Sequence, residues 1–378
     1  MKVRVLTDSR SSMQKGSKPG IEHARKMHPK RHYRASFIFL AVLLAVLLVV
    51  SICVGRYPVD VVQMVTIILS AIQDWWGALT GSGGAAYDGT DPAAATAVMQ
   101  VRLPRVIVCA AIGAALSIAG ATYQGVFQNP MVSQDVLGAS SGASFGAALA
   151  ILLGFSSFGI STLSFVFAIS AVAVAYAVSR ISPTIPILAL ILSGMVVSAL
   201  FSSGVSAIKL VADTEQALPA ITYWLMGSLA SIRPDNVLPT LIPLVIVSLP
   251  IFLLRWRINL LATGEEEAKS LGMNTEGMRI TCIGCATLLT AICVSVSGLI
   301  GWVGLVIPHF CRLMIGYDYK RIIPASMLMG ASFLLAADDI CRLVTTSEIP
   351  IGILTSFVGA PIFIYLIAKG GARGRVKR

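Results

Sequence analysis

The residues able to do chemistry in this 378-residue chain are few and widely spaced. Arg102 and Arg105 flank Leu103-Pro104 at the head of one apolar run, and Arg342 closes another. A guanidinium at such an edge either snorkels to water or accepts acidic side chains of a soluble partner as bidentate ion pairs. Gln124, Asn129 and Pro130 put two amides and a proline at the end of a run, followed by Asp135. Polar groups at membrane depth are costly unless paired or wetted, so these residues either cap helices or border a pathway. Gly298, Gly301 and Gly304 lead into Pro308-His309, a density of breakers that predicts an interrupted helix. His309 reads as a structural hydrogen-bonding group: the other histidines lie in the N-terminal tail, so no metal-ligand set gathers around it. Cys282 and Cys285 form a C-x-x-C, but no second pair accompanies them, and the seven cysteines read as small apolar packing residues. No catalytic residue emerges, and no G-x-x-x-x-G-K-[ST] phosphate loop is present.

The elements that must position these groups follow from composition. Hydrophobic residues make up 56% of the chain and charged ones only 12%, about half of what a water-facing domain carries. Apolar runs of bilayer-spanning length recur, and helices are the spanning element because lipid cannot satisfy backbone donors and acceptors. The spans predicted are 35–54, 105–127, 137–154, 160–178, 185–207, 238–254, 278–297, 302–316, 323–341 and 351–368. The first, behind a long basic stretch and without a small-residue cleavage site, reads as a retained helix rather than a signal peptide. The net charge of +11 does not indicate nucleic acid, since the basic residues sit in tails and short loops. The tails 1–34 and 369–378 are both basic, which places both termini in the cytoplasm and requires an even number of spans. With ten spans Arg180, Arg255, Arg257, Lys269, Arg279, Arg312, Lys320 and Arg321 fall inside. Arg56, Arg102, Arg105, Lys209, Arg233 and Arg342 fall outside. The transmembrane domain is thus 35–368, with an external segment 55–104 and a cytoplasmic loop 258–277.

Within the external segment, Tyr57 to Trp76 predicts a helix at the interface, followed by a flexible glycine-rich loop. Gly138, Gly142 and Gly146 lie on one face of the third span and predict close helix packing. In the cytoplasmic loop, Glu265, Glu266 and Glu267 followed by Ala268, Lys269, Leu271 and Gly272 predict a short helix with a glycine stop. Such a helix is either solvated or seats in a groove of a partner. Spans two to five and seven to ten have opposite orientations, a topology that suits an inverted repeat.

Taken in order, these segments resemble the FecCD-type permease family, membrane subunits of importers for iron-siderophores, haem, cobalamin and related metal chelates. The resemblance runs from about Arg102 to Ile367. It rests on Arg102-Leu-Pro-Arg105, Gly120 through Gln124, Asn129-Pro130, Leu137 through Gly142, Leu271-Gly272, Gly301 through His309 with Arg312, Asp338 with Arg342, Glu348 through Gly352, and Gly359 through Phe363. Gln134 stands where the family usually has proline, and Asp339 where it usually has an apolar residue. The resemblance implies an all-α polytopic membrane protein of about ten transmembrane helices, with the type II ABC importer permease architecture. It implies a homodimer with the path at its two-fold interface, two cytoplasmic ATPase subunits that bind ATP and Mg, and an external substrate-binding protein in a prokaryotic inner membrane. By the same resemblance Arg102, Arg105 and Arg342 would meet the binding protein, and Glu266, Glu267, Ala268, Leu271 and Gly272 would couple to the ATPase. Gln124, Asn129, Pro130, Pro308, His309 and Glu348 are assigned to the path or its gating. No cofactor or metal is expected in this chain, and no nucleic-acid partner; membrane lipid surrounds it. An ion-coupled secondary transporter is the rival reading, and a membrane enzyme a distant one.

Overall fold

The computed structural model describes residues 32–55, 57–80, 91–181, 186–345 and 347–375. The basic stretch 1–31 and the glycine-rich 81–90 lie outside the described residues. The helices are α1 (His32–Cys53), α2 (Val61–Thr80), α3 (Pro92–Thr96), α4 (Leu103–Val126), α5 (Ala139–Leu152), α6 (Ser157–Ser179), α7 (Pro186–Val211), α8 (Ala217–Leu225), α9 (Pro234–Thr263), α10 (Glu265–Ser270), α11 (Thr275–Ser297), α12 (Val303–Ile315), α13 (Tyr319–Leu343) and α14 (Ile351–Arg375). No strand occurs among the described residues.

Each predicted span coincides with a helix, but not every helix crosses alone. Seven helical stretches are long and apolar enough to span a membrane. The 14-residue α5 and 13-residue α12 reach only about 20 Å, short of a bilayer core of about 30 Å. Each is preceded by ordered non-helical chain, 127–138 before α5 and 298–302 before α12. Gly138 and Trp302, immediately before these helices, adopt positive φ values of 85° and 70°. Irregular backbone at this depth is tolerable where protein covers it, and Val132, Gln134, Leu137 and Ile300 are buried.

The helix contacts pair off in a regular way. α4 packs on α13 and α12, while α11 packs on α6 and α5; α5 meets α6 and α7, while α12 meets α13 and α14. Exchanging α4–α7 with α11–α14 maps one set of contacts onto the other. This is the pairing expected of two similar halves in opposite orientation.

Helix α4 is the buried centre of the bundle, and small residues let its neighbours approach. A Cβ at Gly120 would lie 1.9 Å from the Gly304 carbonyl oxygen of α12, and one at Gly113 would lie 2.3 Å from that of Gly330 on α13. In the same way Gly142 and Gly146 rest on Phe167 and Leu163 of α6. Gly138 precedes α5 and instead faces Gly194 and Ser198 of α7. With little hydrophobic gain between helices in lipid, this backbone contact supplies the packing attraction.

Two elements were not anticipated. Pro92–Arg102, of which the sequence assigns 92–95 to the glycine-rich loop, is helical and joins α4 through a π-helical stretch, Ala97–Arg102. Asp91 caps it by accepting the Ala93 amide, and Pro92 occupies the first turn. Helix α8 folds in the connection between α7 and α9.

Gly120→Ala should destabilise the purified protein by about 1–3 kcal/mol, because backbone rather than a side chain blocks the new methyl. Gly284→Ala, where a Cβ meets nothing within 4 Å, should be neutral or slightly stabilising. Thermal unfolding of the two variants in detergent compares them directly.

Candidate functional site

At one end of α4 three arginines are drawn into the protein. The π-helical stretch carries Arg102 under the end of α1, where its Nη1 donates to the carbonyls of Ile52 and Cys53, each at 2.9 Å. Its Nη2 donates to the Tyr57 carbonyl. The side chain therefore satisfies carbonyls that α1 leaves unpaired at its C-terminus. One turn on, Arg105 reaches Asp338 of α13 through Nε and Nη2, at 2.8–3.1 Å, and Glu348 through Nη1 at 2.8 Å. Arg342 lies 3.2 Å from Asp338 through Nε and also pairs with Asp339. Ser51 of α1 donates to Asp339 at 2.6 Å. Asp338 is 1% exposed and sits between the two arginines. The cluster ties α1, α4, α13 and the start of α14 together.

The acidic partners expected for Arg102, Arg105 and Arg342 on a binding protein have counterparts inside this chain. Arg102 and Arg105 are buried and Arg342 is half-buried; carboxylates of this chain meet Arg105 and Arg342, and backbone carbonyls meet Arg102. The physical reason is desolvation: a guanidinium beside an apolar run is cheaper to bury when carboxylates from neighbouring helices meet it. Glu348, assigned to the path, is a member of this cluster.

Near the other end of α4, roughly 30 Å away along the helix, amides replace charges. Pro308 has no N–H for the Gly304 carbonyl, which would otherwise be left open inside α12. Gln124 Nε2 supplies it at 3.3 Å and also reaches the carbonyls of Leu305 and Val132. Gln124 Oε1 in turn accepts from Arg312. Asn129 forms a local turn, its Oδ1 accepting the Met131 amide at 2.9 Å beside the exposed Pro130. His309 is half-buried on α12. Gln134, in the family's proline position, occupies the space beside Gly304 and donates to the Ile300 carbonyl at 3.4 Å. It thereby joins the two non-helical segments. Sequence reasoning assigned no role to Asn259, whose side chain accepts the Tyr319 amide and donates to Asp318. Its signal is a lone amide at the end of an apolar run.

Helix α10 caps the same end of the bundle. Gly264 and Gly272 bound it with φ values of 140° and 78°. Gly272 donates to the Lys269 carbonyl and Met273 to that of Ala268, the paired closure of a Schellman turn. Glu265 anchors it, with Lys269 at 2.9 Å and Arg279 of α11 at 2.5 Å, and Ala268 is fully buried. Glu266, Glu267 and Gly272 face outward, and Leu271 is 67% exposed.

Asp135 borders a cavity of about 600 Å³ between α5, α8, residues 299–301 and α14, where it accepts from Ser140. The Cys282 and Cys285 thiols are free. Among the described residues no three metal-ligating side chains gather.

Comparison with known proteins agrees with this geometry. The profile of the FecCD transport family matches residues 42–369. The molybdate import system permease protein MolB of Haemophilus influenzae is 38% identical over 335 residues, covering 88% of this chain and 96% of that protein. An iron chelatin transport system permease protein of Helicobacter pylori is 43% identical over 272 residues, covering 72% and 82%. A solved chain from a metal-chelate type ABC transporter, in an inward-facing conformation, superposes with a TM-score of 0.77 at 36% identity. It covers 89% of this chain and 99% of that one.

Two outcomes test the site. Arg105→Ala should cost about 3–5 kcal/mol by leaving Asp338 with one arginine fewer in a buried position. Arg105→Ala with Asp338→Ala should cost clearly less than the sum of the single changes, measured as a double-mutant cycle on thermal unfolding. Glu265 lies outside the spans and is held below the usual carboxylate range, first by its bond to Lys269 and then by Arg279. Its folded value is lower than its unfolded one, so its anchoring is complete above the ordinary range and is lost as pH falls through the lowered value. Protection factors across 265–271, corrected for the intrinsic pH dependence of amide exchange, should accordingly stay constant on acidification down to the ordinary carboxylate range and fall from there through the lowered value, and Glu265→Gln should remove the step.

Proposed function

The chain belongs to the FecCD transport family, and we propose that it is the permease through which an ATP-driven importer passes a metal chelate. It is a multi-pass membrane permease, and hydrolysis of ATP is assigned to a separate pair of ATPase subunits that carry ATP and Mg. Two copies of the chain form the path between them. The end bearing α10 and both basic tails faces the cytosol of a prokaryotic inner membrane, following the distribution of lysine and arginine. The arginine end faces an external binding protein. Arg102, Arg105 and Arg342 act there by holding the outer ends of α1, α4, α13 and α14 in register, so that the binding protein meets a surface of defined shape.

The observation that carries this reading is α10. A six-residue helix has no independent stability, yet this one is closed by glycines, pinned to α11 by Glu265 and buried through Ala268. What it leaves outward is an apolar side chain, Leu271, beside two carboxylates. A rigid knob at the end of a bundle can transmit motion from a soluble partner into α9 and α11. The ion-coupled alternative needs a free carboxylate at depth. Asp338, Asp339 and Glu348 are committed to arginines, and Asp135 accepts from Ser140.

Vesicles holding the permease, its ATPase and its binding protein should take up chelate only with ATP. Uptake that persists without ATP and collapses with an ionophore would refute the proposal. Leu271→Asp should weaken co-purification of the ATPase at least about 10-fold while leaving the unfolding temperature of the permease unchanged.

A further inference from the structure

We propose that Arg312 is the base of a binding site for a phosphate group at the α10 end of each chain. A recess of about 400 Å³ opens there between the ends of α4, α9 and α12 and the start of α13, with Gln128, Asn259, Thr263, Tyr317 and Tyr319 in its walls. Arg312 forms its floor at 6% exposure. One nitrogen of the guanidinium, Nη2, donates to Gln124. The other, Nη1, is fully buried and makes no hydrogen bond among the described residues, with the Tyr319 side chain the neutral group beside the guanidinium.

The contrast with the arginine end is the central point. There every buried guanidinium meets carboxylates or carbonyls; here no aspartate or glutamate among the described residues forms an ion pair with Arg312. Asp318, the nearest acid in sequence, is engaged by Arg321 at 3.6 Å and by Asn259 at 2.8 Å. Gln124 cannot turn to offer a second acceptor, because its amide nitrogen is held by three carbonyls. Asn259 is held at both its oxygen and its nitrogen, and Gln128 is clasped to the Leu261 carbonyl at 2.9 Å. The walls are therefore fixed and neutral, Tyr319 among them, and the guanidinium beneath the recess has no carboxylate to balance it among the described residues. A buried cation without a counter-charge is strongly unfavourable, and an anion that reaches it forms charge-assisted hydrogen bonds.

Phosphate is the anion the surroundings select. Arg255, one turn before the recess residue Asn259 on α9, and Lys320 and Arg321, which follow Tyr319 on the first turn of α13, add basic groups to the elements that build the recess. Tyr317 stands at the rim, 79% exposed. Trp256, exposed on α9 beside Arg257, sets this region at headgroup depth, where basic pockets between helices hold anionic lipid. The group has two sources, a phospholipid headgroup arriving sideways from the bilayer or free inorganic phosphate from the aqueous side. Since Thr263 of the recess is followed directly by Gly264 and α10, occupancy would stiffen the seat of that helix.

The full chain is placed in nanodiscs of phosphatidylcholine, with or without phosphatidylglycerol, and with or without inorganic phosphate at constant ionic strength. Unfolding temperature is read by intrinsic fluorescence, and retained lipid by native mass spectrometry. A rise with phosphatidylglycerol, and one retained anionic lipid per chain, assigns the headgroup; a rise with inorganic phosphate alone assigns the free ion. In either case Arg312→Gln should weaken the effect at least about 10-fold, and Tyr317→Phe, a rim change that leaves the guanidinium in place, should weaken it further than its own stability change explains. No response of the native chain to either source overturns the proposal, whatever the variants do. A response that survives unchanged in Arg312→Gln, or in Tyr317→Phe where Arg312→Gln does not fold, places the anion elsewhere on the basic surface and overturns it equally.

Discussion

Inside a helical bundle surrounded by lipid, a polar atom must find its partner within the same protein, since no water competes for it. Much of the arrangement around α4 follows from that constraint. At its first turn Arg102 answers the open carbonyls of α1, and Arg105 answers Asp338 and Glu348. Near its last turn Gln124 answers a carbonyl that Pro308 cannot. Each case is a long-range pair, and each ties α4 to a helix far away in the chain. Polar groups thus act as fasteners at the two ends, while the middle of α4 is held by glycine contacts.

The same constraint explains why α5 and α12 are short without being defective. Breaking a helix at membrane depth exposes backbone groups that have to be covered. Residues 127–138 and 298–302 cover one another, with Gln134 bridging them and Gly304 giving its amide room. The glycine opposite, Gly304, provides the space for the Gln134 side chain, whose Nε2 finds the Ile300 carbonyl while its Oε1 is left without a partner among the described residues.

The two ends of the bundle differ in how charge is handled, and this difference bears on transport. The arginine end is internally balanced and links four helices, a suitable base for docking without local rearrangement. The opposite end projects α10 between two glycine stops, pinned to α11 by Glu265, and keeps Arg312 oriented but without a carboxylate partner among the described residues. Motion received by α10 enters α9 and α11 directly, and both lie against α4. A rigid α4 fastened at both ends can then carry displacement from one face to the other.

Composition and periodicity determined the membrane class, the position of each spanning segment and the short helix at 265–270, because apolar runs and glycine stops are local signals. The motifs in order carried the family as well. The fate of the arginines was not legible: whether Arg105 reaches a partner or Asp338 depends on contacts across 233 positions, and charge at a span edge is the same in both cases. Asp91-Pro92 did hold a helix-start signal that the glycine-rich stretch before it obscured. Neither the half-length of α5 and α12 nor the service of Gln124 to Pro308 was visible, since both need to know which backbone lies opposite. Local sequence decides which segments become helices. The meeting of distant polar groups, which lipid enforces and sequence spacing does not encode, is decided by tertiary packing alone.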